Sequence, residues 1–204
     1  LRWAEAELGP PPAPYAWIVF GSEGRMEQTL LTDQDNALVY ADEGAAHAEY
    51  FKALAERVNA DLEAAGYPPC PGGYMARHWN GPLSDWVKRF EGWIEVPTPK
   101  ALLVSCIFFD FRRVGGTLDL EPLEALLDRA KERPVFLRLL AKEALGFHPP
   151  PMLLLRLRGE SSVVDLKLHG ITPIVAMARR FALEAGTRSR STLARLERAA
   201  RAGL

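Results

Sequence analysis

Two aspartates set one residue apart, Asp33 and Asp35, are the first candidates for chemistry in this 204-residue chain. They stand at the entrance to an apolar run, Asn36–Tyr40, and the two-residue period of an extended chain turns both carboxylates to the same face. Two hard oxygen ligands side by side invite a divalent cation. Magnesium in particular is held by one or two carboxylates plus substrate phosphates rather than by an all-protein cage. Twelve residues before Asp33, Gly21 and Ser22 stand where the preceding apolar run stops and a short helix opens. The first N–H groups of a helix lack intrahelical partners and lie at its positive end, which suits a phosphate. Arg25, one turn later, adds a cation for a charge-assisted contact. An Asp-x-Asp pair alone is commonplace, because Asp marks turns; the Gly-Ser element at its upstream distance gives this pair its weight.

Two strands must carry these groups. Tyr15–Phe20 follows a Pro-rich stretch and stops at Gly21, and Asn36–Tyr40 reads the same way, so both are predicted as buried strands with a short helix between them. From Ala45 to Ala65 the apolar residues Phe51, Leu54, Val58 and Leu62 share one helical face, and Gly66 occupies the C-cap position. Residues 67–81 read as loop, with a short strand over Gly73–Ala76. Leu83, Trp86, Phe90, Trp93 and Ile94 recur at helical spacing, which places both tryptophans in the core. Thr98-Pro99 caps a helix predicted over Lys100–Arg112. Pro122 and Pro134 open two Leu-rich helices ending near Arg133 and Gly146. Met152–Leu168 reads as a hairpin, and Ile171–Ala185 and Ser191–Ala202 as closing helices. The pattern is an αβ front and a helical back, dividing near residues 95–100.

Composition narrows the class. The chain is 48% hydrophobic and 25% charged, which excludes disorder and a fibrous chain. Its longest apolar stretch, Ala101 to Phe109, is too short to span a membrane, and nothing at the start resembles a signal peptide. Cys70 and Cys106 are too few for a disulfide framework, so a reduced cytoplasm is the expected compartment. A first residue of Leu points to a piece of a longer chain. The net charge of −1 hides an asymmetry: residues 1–66 carry −8, whereas Arg179 to Arg201 carry +5. An acidic front facing a basic back suits a site where a metal and a phosphate ligand meet, although charge on a late helix is ordinarily a solvated face. Arg188, Arg190 and Arg195 have no interleaved aromatics, which argues against nucleic acid as a partner. His78-Trp79 offers a stacking surface for a base or, more simply, a packed Trp79 beside a surface His78.

These residues resemble a known family. Gly21-Ser22, ten residues, then Asp33-x-Asp35 is similar to the signature of the DNA polymerase β-type nucleotidyltransferases. The string GSEGRMEQTLLTDQDNALVY resembles more closely the DUF294-type nucleotidyltransferase domains of bacterial signalling proteins, which stand beside CBS and cyclic-nucleotide-binding domains. Those are similar to the PII uridylyltransferases and glutamine synthetase adenylyltransferases. CPGGYMARHWNGPLSDWVKRFEGWI, CIFFDFRRVGG and VVDLKLHGITPIVAMARRFAL extend the likeness over most of the chain. The resemblance implies an α+β fold, with a nucleotidyltransferase domain over residues 1–97 and a helical domain over 98–204. It also implies Mg2+ on Asp33 and Asp35, and an NTP (UTP or ATP) held by Gly21, Ser22, Arg25 and Lys167, the last in the DLKLHG segment. A nucleoside monophosphate would move to a hydroxyl, on a protein acceptor, in a signalling assembly whose upstream CBS or cyclic-nucleotide-binding domains lie outside this chain. Arg25 and Glu27 match a GRGE-like segment with positioning roles.

The departures matter as much. Gln34 and Asn36 stand where the relatives more often have apolar residues, and Ile171-Thr172-Pro173 replaces later glycines of the Lys167 segment. A third carboxylate commonly completes the metal site, and Gly73–Ala76 offers none. Asp110 is the substitute, and its simpler alternative is an ion pair with Arg113. The rival class of function is a non-catalytic nucleotide-sensing or interaction module that kept the fold.

Overall fold

The two apolar runs that flank the Gly-Ser element become the central strands of a four-stranded sheet in the computed structural model, which describes residues 1–30, 32–146 and 165–204. A short helix α1 (Arg2–Leu8) precedes β1 (Tyr15–Val19), and β2 (Asn36–Tyr40) follows the single helical turn α2 (Gly21–Gly24). Every residue of β1 and β2 is buried, as expected for short runs with no polar alternation. The two strands pair antiparallel, with Val19 opposite Asn36, so the turn after β1 and the aspartates before β2 emerge at one edge.

Two strands lie elsewhere than the sequence indicated. β3 (Asn80–Pro82) runs parallel to β2, and the Gly73–Ala76 segment forms no strand. Gly73 has φ +71, and its N–H and that of Met75 close tight turns, so no extended run forms there. The helix predicted over Lys100–Arg112 is α5 (Pro99–Phe108), capped by Thr98 Oγ1 on the Ala101 amide as expected. It ends four residues early because Arg112–Gly116 is β4, antiparallel to β1. The sheet therefore takes its last strand from beyond residue 98, across the expected division of the chain. Gly115 and Gly116 permit this pairing. Gly116 has φ +78, and a Cβ there would stand 2.0 Å from the Tyr15 carbonyl oxygen.

Helices cover the sheet. α3 (Ala48–Ala64) closes as predicted at Gly66, whose φ of +96 lets Tyr67 N–H reach the Leu62 carbonyl and its own N–H reach Glu63. α4 (Leu83–Glu95) and α5 bury Trp86, Phe90 and Phe108 in one aromatic cluster with Phe20 and the partly buried Trp93. Trp79 joins that cluster, 4.5 Å from Phe108 between ring centroids, and His78 is exposed. α6 (Glu121–Arg129) and α7 (Pro134–Leu145) follow, then a π-helical turn (Lys167–Ile171), α8 (Thr172–Glu184) and α9 (Thr192–Arg201). The expected hairpin falls outside the described residues from 152 to 164. Among the described residues no helix is long and apolar enough to cross a membrane.

Gly116→Ala should lower unfolding stability by roughly 2 kcal/mol or more, from strain at a left-handed residue plus the clash with Tyr15. Chemical denaturation measures this, and a loss below about 0.5 kcal/mol, the range of ordinary surface changes, would contradict the register assigned to β4.

Candidate functional site

The segment Asp33-Gln34-Asp35-Asn36 is held from behind by a buried amide network. Gln34 and Asn36 are almost completely buried, on the side opposite the aspartates. Asn59, on α3, donates to Gln34 Oε1 and Asn36 Oδ1, both at 2.8 Å, and its own Oδ1 accepts from the Arg77 amide. Gln34 Nε2 donates to the carbonyls of Asn59 and Tyr67, and Asn36 Oδ1 also accepts from the Ala76 amide. A buried amide is tolerated only when its groups are paired, and these are. The two polar departures from the family pattern are thus a fixed clamp that orients Asp33 and Asp35 away from the core.

On the other side, one oxygen of each aspartate and the Cys70 sulfur lie within 4.8 Å of one another. Cys70 arrives because Pro68 and Pro69 run beside Gln34, with Gln34 N–H donating to the Pro68 carbonyl. No sequence signal marked this thiol, since its link to Asp35 is made across the fold. Burial pushes the Asp35 carboxyl up to about 6; the charge of Asp33 adds to this, while the Cys70 hydrogen bond, Lys167 and Arg25 oppose it. Burial likewise pushes the Cys70 thiol up to about 11, so it is a protonated donor to Asp35 at neutral pH. Two carboxylates forced together with too little positive charge fit a hard divalent cation completed by phosphate and water.

Gly21 brings the turn after β1 against this pair. Its φ of +58 favours glycine, and a Cβ there would stand 2.8 Å from Asp35 Oδ2. Ser22 follows in the same turn and accepts the Glu27 amide on its carbonyl. Glu23, next along, is a half-buried carboxylate raised by burial and by Asp35, with Arg112 opposing. It lies in the motif itself, yet a Glu in a polar turn carries no pattern that would single it out.

Asp110 has a different place from either expectation. It is completely buried, and both its oxygens are taken: Arg25 Nη1 at 2.6 Å, Arg179 Nε and Nη2 at 3.0 and 2.7 Å, and Arg195 Nη2 at 2.7 Å. Burial works against its charge, but Arg179, Arg195 and Arg25 outweigh that and hold the carboxyl well below the usual range. It is not part of the Asp33–Asp35–Cys70 group, and Arg113 donates instead to the Leu118 carbonyl. The pairing with Arg113 fails because α5 has already ended and Arg113 lies on β4. Arg25 is accordingly gripped by Asp110 and Glu27, and Glu27 in turn accepts from the amide and hydroxyl of Thr192 at the start of α9.

The positive charges of Lys167, from the π-helical turn, and of Arg25 favour the ionised form of Asp35, and both side chains line a cavity of about 270 Å3 beside α5 and α8. Two further back-half arginines pair with acids of this chain, Arg188 at the surface with Glu121 and Asp128, and the more buried Arg190 with Glu124 and the Phe111 carbonyl.

Residues 1–100 match the family model "Putative nucleotidyltransferase DUF294", and residues 134–204 match "Putative nucleotidyltransferase substrate binding domain". No curated protein matches the chain significantly.

Two outcomes follow from this geometry. Asp35 binds its proton more tightly folded than unfolded, so the metal-free protein loses stability as pH rises from about 4 to about 6. Asp35→Asn should therefore stabilise the metal-free protein at pH 8 by up to about 3 kcal/mol, with the gain vanishing below pH 4. Thermal melts across that range measure it, and a destabilised variant at pH 8 would contradict the assignment. Asn59→Ala, which leaves buried partners unpaired, should cost about 2–4 kcal/mol and weaken divalent-cation binding without removing a ligand; unchanged cation affinity would show that the clamp does not position the aspartates.

Proposed function

Because the chain belongs to the DUF294 nucleotidyltransferase family, we propose that it moves a nucleoside monophosphate from an NTP to a hydroxyl on a protein acceptor, with Mg2+ on Asp33 and Asp35. The observation that carries the reading is the meeting of these two carboxylates, at one sheet edge, with the left-handed Gly21 turn, which packs so closely that a Cβ on Gly21 would stand 2.8 Å from Asp35 Oδ2. Bound Mg2+ would neutralise triphosphate charge and ease ionisation of the attacking hydroxyl. The chain's own residues do the rest. Gly21 and Ser22 receive phosphate oxygens on backbone N–H groups. Lys167 supplies positive charge on the leaving-group side, and Arg25, held by Asp110 and Glu27, fixes the turn and adds to the local field. Cys70 holds Asp35 in its rotamer through the thiol hydrogen bond. Glu23, in its ionised form and made more basic by burial, serves as the third carboxylate in place of Asp110 and accepts the hydroxyl proton. The family resemblance extends the proposal to a signalling assembly with CBS or cyclic-nucleotide-binding domains.

A second reading, a nucleotide sensor without catalysis, draws on one observation: the third group in the Asp33–Asp35 cluster is a protonated thiol, not a carboxylate. Incubation with α-labelled ATP or UTP, magnesium and cell-extract acceptors separates the two. Transfer of label that disappears in Asp33→Ala/Asp35→Ala and falls about 10²-fold or more in Glu23→Gln is expected. Label surviving the double substitution would refute the catalytic reading, and tight Mg-NTP binding with no pyrophosphate release would establish the sensor.

A further inference from the structure

Cys70 is the member of the Asp33–Asp35 group that magnesium chemistry does not need. A hard cation binds oxygen, yet the Cys70 sulfur and one oxygen of each aspartate lie within 4.8 Å of one another. The backbone builds a seat for this sulfur. Gly73, at φ +71, donates its N–H to the Cys70 carbonyl at 2.9 Å, so the Gly72-Gly73 turn folds back over the side chain. A Cβ on Gly72 would stand 3.7 Å from Sγ, and the amides of Gly72 and Tyr74 donate to the sulfur. A sulfur that accepts from two amides has the partners an anionic thiolate needs, and outer bonds of this kind orient metal-ligating groups. Cys106, the other free cysteine, lies outside the group. Two carboxylates and a thiol are donors of mixed hardness. Zn2+ accepts both, with bonds of about 2.0 Å to oxygen and about 2.3 Å to sulfur, whereas Mg2+ selects oxygen. Donors on one tetrahedral ion stand roughly 3.5 Å apart at those bond lengths, so small side-chain rotations close the group around it.

We infer that Cys70 is a conditional metal ligand: with Asp33 and Asp35 it captures a thiophilic divalent cation of the zinc class, which then excludes Mg2+ from the pair. The inference rests on the reading of Asp33 and Asp35 as the cation site, and it adds a means of regulating that site. With Mg2+ the thiol keeps its proton and its hydrogen bond to Asp35. With Zn2+ an S–Zn bond replaces the S–H bond, and the proton leaves to solvent. Three protein donors then hold the ion and leave one tetrahedral position open. Mg2+ keeps several positions for water and phosphate oxygens. The zinc-loaded chain is therefore an idle form of the transferase, and its share follows the free Zn2+ level.

The test titrates Co2+, a coloured stand-in for Zn2+, into the metal-free chain and reads the near-ultraviolet sulfur-to-cobalt charge-transfer band. Wild type and Cys106→Ser should show the band, and Cys70→Ser should lack it. Asp35→Asn keeps the thiol and should weaken Co2+ binding about tenfold or more, which makes the test independent of how Cys70→Ser folds. Zn2+ affinity, measured by competition with a chromophoric chelator, should fall about tenfold or more in Cys70→Ser, while Mn2+ affinity, measured by electron paramagnetic resonance, stays within about threefold. A wild type without the band, a band lost in Cys106→Ser, or a band or Zn2+ affinity that survives Cys70→Ser would overturn the inference. Mn2+ binding abolished by Asp33→Ala/Asp35→Ala, with no band in wild type, would leave the aspartate site standing and remove only the role of Cys70. Mn2+ binding unchanged by that double substitution would overturn the underlying reading and the inference with it.

Discussion

A single buried carboxylate, Asp110, holds the front of this protein to its back. A charge without solvent must be paired, and removing one partner of a buried pair typically costs 3–5 kcal/mol. Asp110 meets that demand with three arginines drawn from three parts of the chain: Arg25 after the Gly21 turn, Arg179 on α8 and Arg195 on α9. Gly24 allows the approach, because a Cβ there would fall 1.9 Å from the Asp110 carbonyl oxygen. Glu27 adds a second tie by accepting from Thr192 at the first turn of α9. The turn that faces Asp35 is therefore set by helices that close the chain some 150 residues later.

This arrangement gives the charge asymmetry a structural meaning. The acidic front concentrates Asp33, Asp35 and Glu23 at one edge, where burial makes the charges of Asp35 and Glu23 costly. The basic back is consumed largely within the chain, by Asp110, Glu121, Glu124 and Asp128. Among the cations that remain, Lys167 on its irregular turn and Arg25 are those whose charge acts on Asp35. An excess of carboxylate beside an excess of guanidinium is the environment in which a metal-bound polyphosphate neutralises both.

The sequence was most legible where the signals were local. β1, β2, α3 with its Gly66 terminus and the Thr98 cap all follow from periodicity and capping within a few residues. The Asp-x-Asp pair and the Gly-Ser turn were equally visible, because their spacing is short. β3 and β4 were hidden: one is three residues long, and the other contains two glycines and two arginines, so neither carries an apolar alternation. Both exist because a neighbouring strand offers free backbone groups. Gln34 and Asn36 looked like defects until Asn59, more than twenty residues away, supplied their partners. Asp110 was misplaced for the same reason. Its partners are up to 85 residues distant, and spacing arguments see only the nearest arginine.

The central claim is that Asp33 and Asp35, and not Asp110, form the cation site where the nucleotide's phosphates arrive. Crystals grown with Mn2+ and a non-hydrolysable NTP analogue, measured at the manganese absorption edge, address it directly. The account predicts anomalous peaks bounded by the Asp33 and Asp35 carboxylates and the analogue's phosphates, with Asp110 still enclosed by Arg25, Arg179 and Arg195. A manganese peak at Asp110, or none at the aspartate pair with nucleotide bound elsewhere, would contradict it.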